Sequence, residues 1–271
     1  MIHTFRVMVW SSAVAVAVGA MLLAGCTASP GTPTTDSAAP SSSSSAALSG
    51  TITVLAAASL TGTFTNLGKQ FEAAHPGTRT IFSFGSSSTL ATQVTNGAPA
   101  DVFAAADETT MDTVDRTGQA VGRTDFVSNT LEIAVPAGNP AKITGLKDFA
   151  DASKKTVLCA KEVPCGSAAI RVFQAAKITP TPVSYETDVK AALTKVSSNE
   201  ADAALVYTTD VKAAGNKVEG LPFPEAAGAT NTYPIATVKD SKNPALATAF
   251  TQYVLSPHGQ KVLTDAGFGR V

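Results

Sequence analysis

Two apolar runs that each end on a serine and pass directly into helical spacing constrain this chain more than any other feature. Val54 to Ala58 reads as a buried strand, and beyond Ser59 the residues Leu60, Phe64, Leu67 and Phe71 fall on one helical face. The unit recurs at Ser87. Ile81 to Phe84 forms the strand, Gly85 loosens the turn, Leu90 and Val94 share a helical face, and Gly97 supplies a C-terminal stop. A third unit follows, with Ala100 to Ala106 as strand and Asp107 capping a helix that carries Met111 and Val114. Successive strand–helix units predict a parallel sheet with right-handed crossovers. A helix N-terminus also presents unpaired N–H groups and a partial positive charge, and a serine there adds a hydroxyl donor. Each serine alone is an ordinary helix cap; the pair predicts a seat for one oxyanion. Neither segment has a Lys or Arg beside its serine, so such a seat would act through neutral dipoles.

The second half repeats the α/β order. Strands are expected at Leu131 to Val135, Thr156 to Cys159, Pro182 to Tyr185 and Ala203 to Tyr207, with helices near Leu146 to Ala150, from about Ser167 to Ala176, and along Val189, Leu193 and Val196. An apolar strand at Tyr233 to Val238 precedes two helices opened by Asn243–Pro244 and Ser256–Pro257. Two closing helices after a long excursion predict a return to the first lobe, with crossings at Ser128 to Leu131 and Asn231 to Pro234.

The N-terminus is of another kind. Arg6 precedes an apolar stretch from Val7 to Ala24 that is close to membrane-spanning length, but the small residues before Cys26 favour a signal peptide. The ending LAGC resembles the bacterial lipoprotein signal, which implies cleavage before Cys26 and lipidation of its sulfur. Thr27 to Leu48 is Ser, Thr, Pro, Ala and Gly with the single charge Asp36, and cannot bury enough apolar surface to order itself. It reads as a tether with a reach of about 25 Å. The expected division is therefore 1–25 signal, 26–49 lipidated cysteine and tether, 50–130 plus 233–271 first lobe, and 131–232 second lobe. A net charge of −1 without a basic stripe argues against nucleic-acid binding. Cys159 and Cys165, six apart in an exported chain, form either a disulfide or two separate buried thiols.

The runs ITVLAAASL, FGSSSTLATQ, GAPADVFAAAD, VPCG, ALVYTTD and SPHGQKVLTDAGF resemble the molybdate-binding proteins of bacterial ABC transporters, members of the type II periplasmic-binding-protein group. The likeness extends from about Thr51 to Phe268. It implies two α/β lobes joined by two crossovers and closing on the ligand. It also implies a non-enzymatic, monomeric, lipid-anchored receptor on the extracytoplasmic face of the membrane. Such a receptor hands molybdate or tungstate to a permease and needs no cofactor or metal ion. The family's anion contacts fall on the hydroxyls of Ser59 and Ser87, the backbone N–H groups of Cys165 and Val189, and the hydroxyl of Tyr207. Cys165 departs from the family's alanine, a change that is harmless if only its N–H is used. Without the resemblance, Val189 reads as helix core and Tyr207 as a packing aromatic; Ser86 and Ser88 stand one residue away from the assigned contact.

Two other readings remain. A sulfate, thiosulfate or other oxyanion receptor would show the same pattern, because only cavity size separates sulfate from molybdate. A secreted serine hydrolase would need a base, and beyond the signal segment the histidines are His75 and His258, with no G-x-S-x-G elbow.

Overall fold

The structure, a computed structural model, describes residues 48–271. Cys26, the signal segment and most of the tether lie outside the described residues.

From the first strand the chain runs β1 (Gly50–Ala57), α1 (Thr61–Ala74), β2 (Thr78–Gly85), α2 (Ser87–Thr95), β3 (Val102–Ala104), α3 (Glu108–Asp115) and β4 (Ala120–Asn129). It continues through β5 (Leu131–Pro136), β6 (Thr156–Cys159), α4 (Pro164–Ala176), β7 (Ser184–Glu186), α5 (Val189–Ser197), β8 (Ala203–Tyr207), α6 (Thr208–Ala214) and β9 (Val218–Leu221). It closes with β10 (Asn231–Val238), α7 (Pro244–Leu255) and α8 (Pro257–Asp265). Two five-stranded sheets result, ordered β2-β1-β3-β10-β4 and β7-β6-β8-β5-β9. In the first, β1 runs parallel to β2 and β3, while β10 lies antiparallel between β3 and β4. The second repeats this design, with β6 parallel to β7 and β8, and β5 antiparallel to β8 and β9.

Each sheet is buried on both faces, which is why its central strands are apolar runs and not alternating ones. On one face of the first sheet, Phe64, Leu67 and Phe71 of α1 meet Leu246, Phe250 and Val254 of α7 and Leu263 of α8. Phe250 stands edge-on to Phe64, Phe71 and Phe82, the geometry that aromatic quadrupoles favour. The other face packs Leu90 and Val94 of α2 and Met111 and Val114 of α3 against Phe103. Helix starts follow side-chain chemistry: Asp107 accepts from the Thr110 N–H, and the Ser256 hydroxyl oxygen from the Gly259 N–H.

The chain leaves the first sheet after Asn129 and enters the second at Leu131, with only Thr130 between. It returns between Leu221 and Asn231. β10 therefore begins two residues before the expected Tyr233, and the first of these, Asn231, pairs directly with Asn129.

Several local expectations are corrected. β4 was not anticipated, because its first six residues keep an exposed face and include a glycine at positive φ, Gly122. β9 and α6 were also unanticipated; α6 starts on the residue after β8 and takes its cap from a buried aspartate, Asp210, which accepts from the Tyr207 N–H. α4 begins at Pro164 and not at Ser167, so the VPCG segment is the first turn of a helix with proline at its first position.

Candidate functional site

The C-terminal ends of the parallel strands in both sheets face one another across a small cavity lined by Ala58, Ser59, Ser86, Ser87, Cys165, Val189 and Tyr207, among others. All five residues assigned from the sequence are brought together here. The cavity measures ≈ 20 Å³, about the space of one or two waters on the same measure. It has room for a few oxygen atoms around one centre and none for a sugar ring or a peptide.

Ser59 is not the cap of α1; it sits in a single 3₁₀ turn, Ala58–Leu60, between β1 and α1. Its hydroxyl is hydrogen-bonded to the Tyr233 hydroxyl at 3.0 Å. Ser87 is the first residue of α2, and the cap position belongs to Ser86. The Ser87 Oγ accepts the Ala106 N–H at 2.9 Å, whereas the buried Ser86 Oγ has no partner among the described residues. The Ser88 hydroxyl turns away and donates to the Glu162 carbonyl at 2.5 Å, linking the two lobes.

The second lobe contributes two helix N-termini. Cys165 lies in the first turn of α4, where backbone N–H groups have no intrahelical partner. Val189 opens α5, and the Asp188 carboxylate at the cap accepts from the Lys190 and Ala191 N–H groups, leaving the Val189 N–H outside that cap. Asp188 lines the cavity too, but the bonds it accepts come from α5. Lys190 pairs with the fully buried Asp210 at 2.8 Å, so neither of these charges stands uncompensated beside the site. Burial pushes the Tyr207 hydroxyl well above its ordinary pKa, helped by the neighbouring Tyr233 and by Asp107 and Asp210. It therefore keeps its proton and remains a donor.

Cys159 and Cys165 are joined by a disulfide with a Cα–Cα distance of 5.8 Å, tying the first turn of α4 to the end of β6. Gly166, next in α4, lies flat against Ala160, where a Cβ would come within 2.5 Å of the Ala160 carbonyl carbon and 2.8 Å of the Cys159 carbonyl oxygen. Disulfide and glycine together hold the helix end close to the strand end.

No histidine lines the cavity. His258 is exposed and bonds Gln70, 2.6 Å away. Among the described residues there is no group of His, Cys, Asp and Glu able to hold a metal ion, and no helix long and apolar enough to cross a membrane. Sequence reasoning missed Tyr233 and Asn231, which stand behind the cavity and bond to the Ser59 and Tyr207 hydroxyls, and Asn129, which bonds to Tyr233 behind them. Their partners lie 24 to 174 residues away in the chain, beyond any local pattern.

Residues 52–269 match the profile of bacterial extracellular solute-binding proteins. The molybdate-binding protein ModA of Mycobacterium tuberculosis is 43% identical over 256 residues, covering 93% of this chain and 96% of the relative. Among solved structures, the periplasmic molybdate-binding protein of Azotobacter vinelandii superposes with a TM-score of 0.67 at 23% identity, over 80% of this chain and 98% of that one. The sulfate-binding protein SubI of M. tuberculosis superposes with a TM-score of 0.72 at 19% identity, over 82% of this chain and 87% of that one. At those identities the two superpositions speak for the fold alone.

Proposed function

This chain belongs to the bacterial extracellular solute-binding proteins, and we propose that it captures molybdate, and tungstate equally, for delivery to an ABC transporter permease. The observation that supports this reading is one small cavity lined from both lobes by Ser59, Ser87, Cys165, Val189 and Tyr207; in this reading the three hydroxyls and the Cys165 and Val189 N–H groups are the donors. Molybdate near neutral pH is a fully deprotonated tetrahedral dianion, so every contact it needs is a donor. Neutral donors in a buried site bind such an ion through preorganised dipoles, and a site without full countercharges lets the ion go again. The 43% identity to a molybdate-binding protein over nearly the whole chain supports molybdate over other oxyanions. The reading includes a monomer anchored by lipid on Cys26 at the extracytoplasmic face, supported by the LAGC sequence and the Ser/Thr/Pro-rich segment after it.

A sulfate receptor would share this fold and donor set. Sulfate is the smaller ion, so its donors would be stretched in a cavity shaped for molybdate. In a thermal-shift comparison of the chain from Gly50 onward, molybdate and tungstate should raise the melting temperature by similar amounts at equal concentration. Sulfate and phosphate should raise it far less. Equal stabilisation by sulfate and molybdate would remove the molybdate assignment and leave the oxyanion class standing.

A further inference from the structure

We infer that Asn129 and Asn231, opposite one another on β4 and β10, are positioning residues that turn the hydroxyl protons of Ser59 and Tyr207 into the cavity and thereby set its preference for oxyanions that carry no proton. The inference rests on the oxyanion reading above and concerns which groups impose that polarity.

A hydroxyl has one hydrogen, so filling its oxygen with a protein donor leaves that hydrogen free to point elsewhere. The Tyr207 oxygen accepts from Asn231 Nδ2 at 2.9 Å. The Asn231 amide cannot be turned over: its Oδ1 accepts from the Arg171 guanidinium at 2.6 Å, and its Nδ2 also donates to the Ala106 carbonyl at 2.9 Å. An arginine only donates and a carbonyl only accepts, so both ends of the amide are assigned by chemistry. With Asn231 donating to its oxygen, the Tyr207 proton is free to turn toward the cavity.

The other asparagine works through one more residue. Asn129 Oδ1 accepts the Thr130 N–H at 3.1 Å, which directs its Nδ2 to the Thr209 hydroxyl at 2.8 Å and the Tyr233 hydroxyl at 3.4 Å. With that donor on its oxygen, Tyr233 is placed to donate across the 3.0 Å contact to Ser59 Oγ, the direction this inference assigns, and the Ser59 proton then turns toward the cavity. Ser87 needs no such help, because the Ala106 N–H fills its oxygen directly. Asn129, Asn231 and Tyr233 are all buried and do not themselves line the cavity. Two of them flank the crossovers between the sheets and pair with each other in register, so the elements that join the lobes also orient the donors of each.

The test is isothermal calorimetry with molybdate, and with hydrogen phosphate by competition, in mildly alkaline buffer where both are dianions and only phosphate carries a proton. Asn231→Asp should turn the Tyr207 O–H toward the new carboxylate, costing about tenfold or more in molybdate affinity and presenting an oxygen lone pair to the ligand. The added charge repels both dianions alike, so it cancels in the molybdate-to-phosphate affinity ratio. That ratio should nevertheless fall about tenfold, and fall further than in Tyr207→Phe, which has neither donor nor acceptor. The Asn231→Asp and Tyr207→Phe effects on molybdate should also fail to add. A second cycle uses Tyr233→Phe, which should weaken molybdate binding about 3- to 10-fold in the parent and hardly at all in a Ser59→Ala background. Should Asn231→Asp not fold, this second cycle decides. An unchanged ratio or additive cycles in a parent that binds molybdate overturn this inference alone. A parent that binds no oxyanion overturns the proposed function and the inference with it.

Discussion

Replacing Ser59 and Ser87 together by alanine is expected to weaken molybdate binding by about 10²- to 10⁴-fold. Each hydroxyl donates to a charged ligand in a buried site, where a hydrogen bond is worth roughly 1.5–3 kcal/mol, or about 10- to 150-fold in affinity. The two serines come from different strand ends of one lobe and are held by different partners, Tyr233 and the Ala106 N–H, so their losses should combine to a first approximation. Stability must be read separately. Ser87→Ala strands the buried Ala106 N–H and should cost about 1–3 kcal/mol of folding free energy by itself. Calorimetric titration of single and double variants, with ligand-free melting curves beside it, separates the two effects. Parent-like affinity in a folded double variant would place the ion elsewhere.

Gly166→Ala is expected to be the most damaging single methyl in the second lobe. Its Cβ would overlap backbone atoms of Ala160 and Cys159, and neither can swing aside as a side chain would. The disulfide between Cys159 and Cys165 holds the same two segments together and blocks the retreat of α4. Overpacking of this kind costs about 3 kcal/mol or more, which for a folded part of this size lowers the melting temperature by roughly 6–12 °C. Any relief comes from moving the first turn of α4, which displaces the Cys165 N–H from the cavity, so anion affinity should fall as well. A variant that melts with the parent and binds equally well would show that this close approach has no role.

The parts legible in the sequence are those where burial and period coincide. Val54 and Phe64 announce β1 and α1 because Val54 to Ala57 is an unbroken buried apolar run and the helix keeps one apolar face. The five cavity residues were found through local motifs that the resemblance could align. What stayed hidden has a physical reason in each case. β4 alternates weakly and exposes most of its first half. α6 follows β8 without a loop, so no turn residue marks its start. Pro164 reads equally well as a turn or as the first residue of a helix, and only packing decides. Asn129, Asn231 and Tyr233 act through hydrogen bonds to residues far away in the chain, and polar residues at strand ends carry no periodic signal. The hydroxyls facing the ligand were readable; the groups that orient them were not.

The most direct test of the central claim is X-ray diffraction from crystals grown with molybdate, collected at the molybdenum absorption edge. The account predicts a single strong anomalous peak inside the cavity, within hydrogen-bonding reach of the Ser59, Ser87 and Tyr207 hydroxyls and the Cys165 and Val189 N–H groups. A cavity without an anomalous peak, or a peak held by other residues, would contradict it.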